Sequence, residues 1–277
     1  MKPETTTTEK IVFRMDDVGA ASKKWEVYGK GYLECVFFKL RLPLVTNFLF
    51  IKYLPMFKSW GPYDELTAGQ WTEILDILRE SGSSMTIGIT AGWVEKDGTI
   101  IPFPEKFPEQ AKVIRQGLKE GLIDIANHGL THCVIGKHLP RWFSSNRTYH
   151  REFWNWVPID TQRKHIERSL KILSDFFGVE IDTLIPPGNV WTTDTERIAN
   201  ANGIRYISSD SRVAPDGTVS NGITYISRDV FAFHDRELSI FGTDWLKDSI
   251  ATYKKNGFTA CSIERYDARE PITTPNA

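Results

Sequence analysis

The chain has 277 residues, 41% hydrophobic and 25% charged, enough for one large α/β domain or two small ones with a real core. Thirty-four basic residues stand against thirty-five acidic ones, and a net charge of -1 gives no general attraction to nucleic acid or to acidic membranes. Three cysteines, Cys35, Cys133 and Cys261, lack CxxC spacing and argue against a disulfide framework or a thiolate zinc site.

The start of the chain, MKPETTTTEK, has no apolar stretch of the kind a secretory signal needs, and its threonine run reads as a disordered tail over residues 1–9. Together with reduced thiols this points to the cytoplasm. No linker interrupts residues 10–277, which read as a single domain. Its first element is the apolar run EKIVFRMDDVG, a strand that ends on Asp16 and Asp17. Neighbouring strand residues face opposite sides, so paired acids there are not a salt-bridge pattern and do not belong in an apolar core. They mark either a site or an Asp-Gly turn or helix cap.

Residues 31–60 form an insertion rich in Phe, Leu and Tyr. Only ten residues run without a charge between Arg41 and Lys52, about half of what a membrane span needs. Its charges are mostly basic (Lys30, Lys39, Arg41, Lys52 and Lys58 against Glu34), which suits contact with an anionic membrane surface or a lipid-linked substrate. The alternative is an insertion packed over the mouth of the fold beside the aspartates, with its aromatics buried and its basic residues in solvent.

From residue 66 onward, helices and strands alternate. TAGQWTEILDILRESG places Trp71, Ile74, Leu75 and Leu78 on one helical face, with Gly82 as its cap, and the strand SMTIGITA follows. Residues 108–120 repeat the pattern through Val113, Ile114 and Leu118, end at Gly121 and lead into the strand LIDIAN. DTQRKHIERSLKILSDFFG is amphipathic through Ile166, Leu170, Leu173 and Phe177, stops at Gly178 and feeds the strand EIDTLI. A capping box of Thr193 with Glu196 opens TDTERIANANG, the strand IRYISSD follows, and short strands near GITYIS and DVFAFH precede a last helix over about residues 241–253. This rhythm implies a mostly parallel sheet of six or seven strands, closed or nearly closed into a barrel, with its chemistry at the carboxyl ends of the strands. Asp16, Asp17, His128, His132 and His234 all fall there.

His128 and His132, spaced i, i+4, bring two imidazoles within reach of one zinc-like cation, and Gly129 excludes an HExxH protease motif. A carboxylate from the aspartate pair is the obvious third ligand, and the remaining aspartate is then free to act as general base. The segment HLPRWFSSNRTYHREFWNWVP offers Trp142, Tyr149, Trp154 and Trp156 as platforms for sugar rings. Arg141, Arg147 and Arg151 there suit phosphate or a sugar acid, although aromatic packing of a long loop accounts for them equally well. His165 reads as a residue on the polar face of its helix, and His138 and His150 as flanks of the Trp-rich segment.

The ordered set RMDDVG, GSSMTIGITAGW, GLIDIANHGLTH, LIPPGN and FAFHD resembles the polysaccharide deacetylase family with NodB homology, the family 4 carbohydrate esterases, from about residue 10 to residue 250. The resemblance implies a distorted parallel (β/α) barrel and a metal-dependent hydrolase that removes an N-acyl group, typically acetyl, from a carbohydrate. It implies Asp16 as general base, Asp17, His128 and His132 as ligands of one divalent metal, most often zinc, and His234 as general acid. The family's Arg-Pro-Pro-Tyr motif is replaced by Ile185-Pro186-Pro187-Gly188. The arginine that orients the catalytic aspartate is therefore absent, and Arg14, Arg212 and Asn189 are the candidates to replace it. Pro187, Gly188 and Asn189 form the expected substrate and oxyanion segment, with the Gly188 N–H as oxyanion donor. The expected partner is a carbohydrate, an intermediate of surface polysaccharide assembly, and not nucleic acid; oligomeric state stays open. The competing expectations are a hydrolase of a non-sugar linear or cyclic amide and a catalytically silent sugar-binding barrel.

Overall fold

The computed structural model describes residues 9–35, 40–43, 50–140, 151–210, 217 and 219–267. The first strand, β1 (Glu9–Val18), is buried on both faces, with Val12, Phe13, Met15 and Val18 fully buried, as befits a parallel strand covered on both sides. The sheet continues with β2 (Met85–Ile89), β3 (Ile123–Asn127), β4 (Thr183–Leu184), β5 (Tyr206–Ser208), β6 (Val219–Ser220), β7 (Ile223–Ile226), β8 (Val230–His234) and β9 (Phe258–Cys261). Among the described residues its order is β6, β7, β5, β4, β3, β2, β1, β8, with β9 paired to the start of β1, and every pair is parallel except β6 with β7. The sheet curls into half a barrel of the expected deacetylase type.

The helices follow their predicted faces. In α1 (Ala68–Ser81), Trp71, Ile74, Leu75 and Leu78 are buried, and Gly82 closes the helix at φ 65°, a conformation that costs glycine nothing. Next come α2 (Pro108–Lys119) and α3 (Ile159–Phe177), then α4 (Thr193–Ala201), α5 (Asp235–Phe241) and α6 (Asp244–Lys255). The main core packs Phe13, Met15 and Ile87 of the sheet against Trp71, Leu78 and Ile114 of the helices. Each such side chain contributes about 1.5–3 kcal/mol by leaving water.

Several details differ from the sequence expectation. The cap of α4 is Thr192 with Thr195, one residue earlier than the predicted Thr193 and Glu196, because Glu196 instead accepts bonds from Trp191 (3.0 Å) and Ser220 (2.8 Å). The predicted last helix divides into α5 and α6 around Gly242, and β9 and a short turn of helix at Ile263–Asp267 follow it. The insertion forms two small antiparallel pairs, its Lys58–Trp60 with the preceding Tyr28–Gly29 and, within it, Tyr32–Cys35 with Leu40–Pro43. Tyr32, on a two-stranded ribbon, and Phe50 and Tyr53, on a single turn of 3-10 helix, are exposed, against the expectation of burial, because neither element has a covering layer. Lys52 is buried where solvent or lipid was expected, and burial lowers its pKa while the charge of Glu26 pulls it back up. Lys39 lies outside the described residues. Among the described residues no helix is long and apolar enough to cross a membrane, and Cys133 and Cys261 are buried.

Candidate active site

The carboxyl end of β1 breaks the alternation of its own strand. Asp17 sits at φ 71°, a left-handed conformation unusual outside glycine, and the register against β2 slips between Met15 and Val18. Successive strand residues normally face opposite sides; here both Asp16 and Asp17 line one cavity of about 640 Å³. Arg14 and Asp16, two residues apart, share a face. The Arg14 guanidinium forks onto the Asp16 carboxylate, Nε to Oδ1 at 3.0 Å and Nη2 to Oδ2 at 2.9 Å, and its Nη1 donates to Ser208 Oγ at 3.0 Å. A planar bidentate fork fixes both the position and the plane of the carboxylate. Of the three candidates for the orienting partner, Arg14 makes the contact. Asn189 instead accepts from the Asp210 N–H at 3.2 Å, and Arg212 lies outside the described residues.

His128 and His132 follow β3. His128 Nδ1 meets the Ile185 carbonyl at 2.7 Å, so Nδ1 carries the proton and Nε2 faces Asp17 Oδ1 at 3.2 Å. His132 Nε2 lies 3.0 Å from the same oxygen, and one donor atom from each of the three residues falls within 4.8 Å of the others. Burial alone would raise the pKa of Asp17; the charges of His132 and His234 and the hydrogen bonds of both ligand histidines outweigh it and hold the carboxyl well below its usual range. His128 is pushed down by burial, but its bond to Asp17 and the charge of Asp16 carry it above its ordinary value. Two imidazole nitrogens and a carboxylate oxygen converging on one point, one ring already oriented by a carbonyl, form a donor set that fits zinc or a similar divalent cation.

Glu152 builds the loop that presents these histidines. Fully buried, it accepts from the N–H groups of Leu130 (2.9 Å), Thr131 (3.3 Å) and His132 (2.9 Å), and it pairs with His165 Nδ1. Gly129 is required here: at φ 79°, a Cβ on it would stand 2.1 Å from Glu152 Oε2. His165, read from sequence as a polar-face residue, is thus part of the site's support. Burial lowers its pKa, but the charge of Glu152 and their hydrogen bond outweigh that and raise it above its ordinary value.

On the opposite side of β1, His234 stands directly across from Asp16 in the parallel register with β8, and it lines the same cavity. Its backbone N–H donates to Glu237 Oε2 at 2.9 Å, which fixes the start of α5. The next residue, Asp235, is fully buried, accepts from Tyr63 OH at 2.9 Å and pairs with Lys23, itself buried and 2.6 Å from Glu65. Burial would lower the pKa of Lys23, but Asp235 and Glu65 raise it well above its ordinary value, keeping it charged. A buried lysine of this kind has no signature in the sequence.

The sequence profile of the polysaccharide deacetylase family matches residues 61–207, rather more than half of the chain. The chain belongs to the polysaccharide deacetylase family. The matched region holds His128, His132 and the Pro186–Gly188 segment, while Asp16, Asp17 and His234 lie outside it and join them only in three dimensions. Among solved structures, a CE4 family pseudoenzyme from Bacillus anthracis aligns with TM-score 0.50 at 11% identity over 94% of this chain and 66% of its own. A mutant of it with restored enzymatic activity aligns with TM-score 0.50 at 12% identity over 94% and 68%, so the chain spans about two thirds of the length of these two. The peptidoglycan deacetylase PdaC of Bacillus subtilis aligns with TM-score 0.48 at 11% identity over 95% and 91%. No curated protein sequence matches the chain.

At the segment that replaces the family's Arg-Pro-Pro-Tyr, Pro186, Gly188 and Asn189 line the cavity. Pro187, expected beside substrate, is buried and packs toward Gly129 instead. The cavity is completed by Glu26, Tyr28, Asp210 and Arg236, which the sequence reading did not assign to it, by Trp60 of the insertion expected over the mouth, and by Arg151. Tyr28 and Trp60 stack at 4.4 Å, and the Arg236 guanidinium lies 4.5 Å from the Trp60 ring. Of the aromatic segment, Trp154 is covered by Arg151 at 3.3 Å, and Trp156 is exposed beside Lys137. Residues 141–150, with Arg141, Trp142, Arg147 and Tyr149, lie outside the described residues.

Proposed function

We propose that the chain is a metal-dependent hydrolase that removes an N-acyl group, acetyl in the simplest case, from a carbohydrate. Fold alone does not support this, since a relative of the same fold is a pseudoenzyme. The supporting observation is that Asp16 and His234, register partners on adjacent strands, line one cavity together with Asp17, His128 and His132. Those last three would hold a divalent cation, zinc by the chemistry of the donors, which supplies Lewis-acid polarisation of the scissile carbonyl.

The remaining steps belong to the chain's own groups. Asp16, aimed by the Arg14 fork, accepts a proton from the attacking water. The Gly188 N–H serves as donor to the oxygen on which charge develops. His234, from the opposite side, gives a proton to the departing nitrogen, so that an amine and a carboxylic acid leave. Tyr28 and Trp60 give a sugar ring an aromatic wall. A cytoplasmic role on an intermediate of surface polysaccharide assembly is part of the proposal, supported by the buried Cys133 thiol.

Acid and base must be in opposite protonation states, so the rate should follow a bell-shaped pH profile. In acetate-release assays on N-acetylated sugars, Asp16→Asn and His234→Ala should each lower turnover by about 100- to 10,000-fold with metal content unchanged. His128→Ala and His132→Ala should lose the metal. A near-normal rate for Asp16→Asn would overturn the mechanism, and activity only on non-sugar amides would overturn the substrate class.

A further inference from the structure

The insertion that frames the cavity mouth turns an apolar face outward. Its 3-10 turn, Phe50–Tyr53, and the bend after it are fixed by backbone hydrogen bonds. The Leu54 N–H donates to the Ile51 carbonyl and the Phe57 N–H to the Leu54 carbonyl, both at 3.0 Å, and the Lys30 N–H donates to the Phe57 carbonyl at 2.7 Å. Lys52 is buried, and Ile51 and Phe57 are half-buried. Phe50, Tyr53, Leu54 and Met56 are not covered in this way: they are 45%, 37%, 46% and 60% exposed, four large apolar side chains within seven residues. Single apolar side chains scattered over a surface need no explanation, whereas a cluster held out by a fixed backbone marks a surface that something covers.

Charge narrows the partner. Residues 28–60 carry five basic side chains, Lys30, Lys39, Arg41, Lys52 and Lys58, against one acid, Glu34, in a chain whose net charge is only -1. Lys52 faces inward, under the pull of Glu26, whereas Lys30 and Lys58, on the two strands that flank the turn, are exposed. An apolar tip bordered by cations fits the interface of a bilayer with anionic headgroups, which takes the apolar side chains among its acyl chains and the lysines among its phosphates. A second copy of the chain would instead set these like charges against each other. The tip is also close to the chemistry. Trp60, four residues after Met56, lines the first cavity together with Tyr28, its partner across the ribbon. Four residues of chain reach at most about 14 Å, so lipid that holds the tip lies near the cavity wall.

We propose that residues 50–56 dock the protein on an anionic membrane surface, with the mouth of the first cavity beside the lipid headgroups. Docking requires no deacetylase chemistry, and flotation of the full chain with vesicles tests it without using turnover. The protein should float with vesicles of equal parts phosphatidylcholine and phosphatidylglycerol at ~0.1 M salt, less at ~1 M salt, and less with phosphatidylcholine alone. Lys30→Gln combined with Lys58→Gln should weaken partitioning by roughly 30-fold, about 5-fold for each charge. Leu54→Asp combined with Met56→Asp should weaken it by on the order of 100-fold. A thermal melt reports whether that variant folds, and Met56→Ser, a milder change at the most exposed of the four positions, should by itself weaken partitioning by roughly 5-fold. No flotation of the wild-type chain, equal flotation with both kinds of vesicle, or flotation that survives the substitutions at Leu54 and Met56 would each overturn the proposal. Self-association without flotation, lost in the same variants, would also overturn it and assign the patch to a second copy of the chain.

Discussion

Replacing Glu152 by Gln tests whether one buried carboxylate builds the metal-binding loop. The two side chains have the same shape, but the carboxylate receives N–H groups at both oxygens, Leu130 and Thr131 at Oε1, Thr131 and His132 at Oε2. An amide presents one oxygen and one NH2, so either Leu130 or His132 must face a donor. A buried N–H left unsatisfied costs about 1–3 kcal/mol, and the surviving bonds lose the charge that made each worth about 1.5–3 rather than about 1 kcal/mol. The His165 contact changes as well, from a carboxylate to a neutral amide. Together these give about 3–5 kcal/mol, in the range measured for breaking buried ion pairs. Urea unfolding followed by fluorescence reads the loss, and competition for zinc with a chromophoric chelator should show affinity about 10-fold lower or worse, as support for a ligand loop predicts. A Glu152→Gln protein within about 1 kcal/mol of wild type in stability and unchanged in metal affinity would refute the reasoning.

Arg14→Met should leave the buried Asp16 carboxylate without its fork, lowering stability by about 3–5 kcal/mol and turnover by about 100-fold or more, while Arg14→Lys, keeping the charge without the planar fork, should recover stability more fully than rate in parallel urea and acetate-release assays. Asp124 has its pKa raised to about 7, chiefly by burial, with Asp182 and Glu264 adding to it against the Thr86 hydrogen bond. The folded state therefore holds this proton more tightly than the unfolded one, and stability should fall as pH rises from about 4 to about 7, by up to about 4 kcal/mol. Asp124→Asn should remove that slope, and urea midpoints for the two proteins that run parallel across this window would count against it.

The helices were legible because each carries both its periodicity and its stop: the buried faces of α1 and α3 end at Gly82 and Gly178 in left-handed conformations. Strand ends were less so. The predicted strand EIDTLI pairs only at Thr183–Leu184, and β9 follows Gly257 as the short run FTAC, whose partner, the start of β1, lies at the other end of the sequence. The residues assigned to catalysis and metal binding converge, since the carboxyl ends of parallel strands share one rim. Their supports were harder to see. Arg14 could be inferred from strand alternation, which places it on the face of Asp16. Glu152 had no such signal, because a buried acid inside a Trp- and Arg-rich loop looks like surface. Lys23 was hidden in the same way, its burial made tolerable by Asp235 and Glu65 from distant parts of the chain.

Arg14 lies on the same ten-residue strand as the aspartate it holds. In an enzyme whose orienting arginine comes from another loop, that loop must keep both its length and its path or misalign the base. Here the alignment is inherited by one short stretch of chain and survives whatever happens around residue 185. Side chains on the segment from Pro186 to Val190 can then change, provided the Gly188 N–H and the Pro187 packing are kept, without disturbing the Arg14–Asp16 pair.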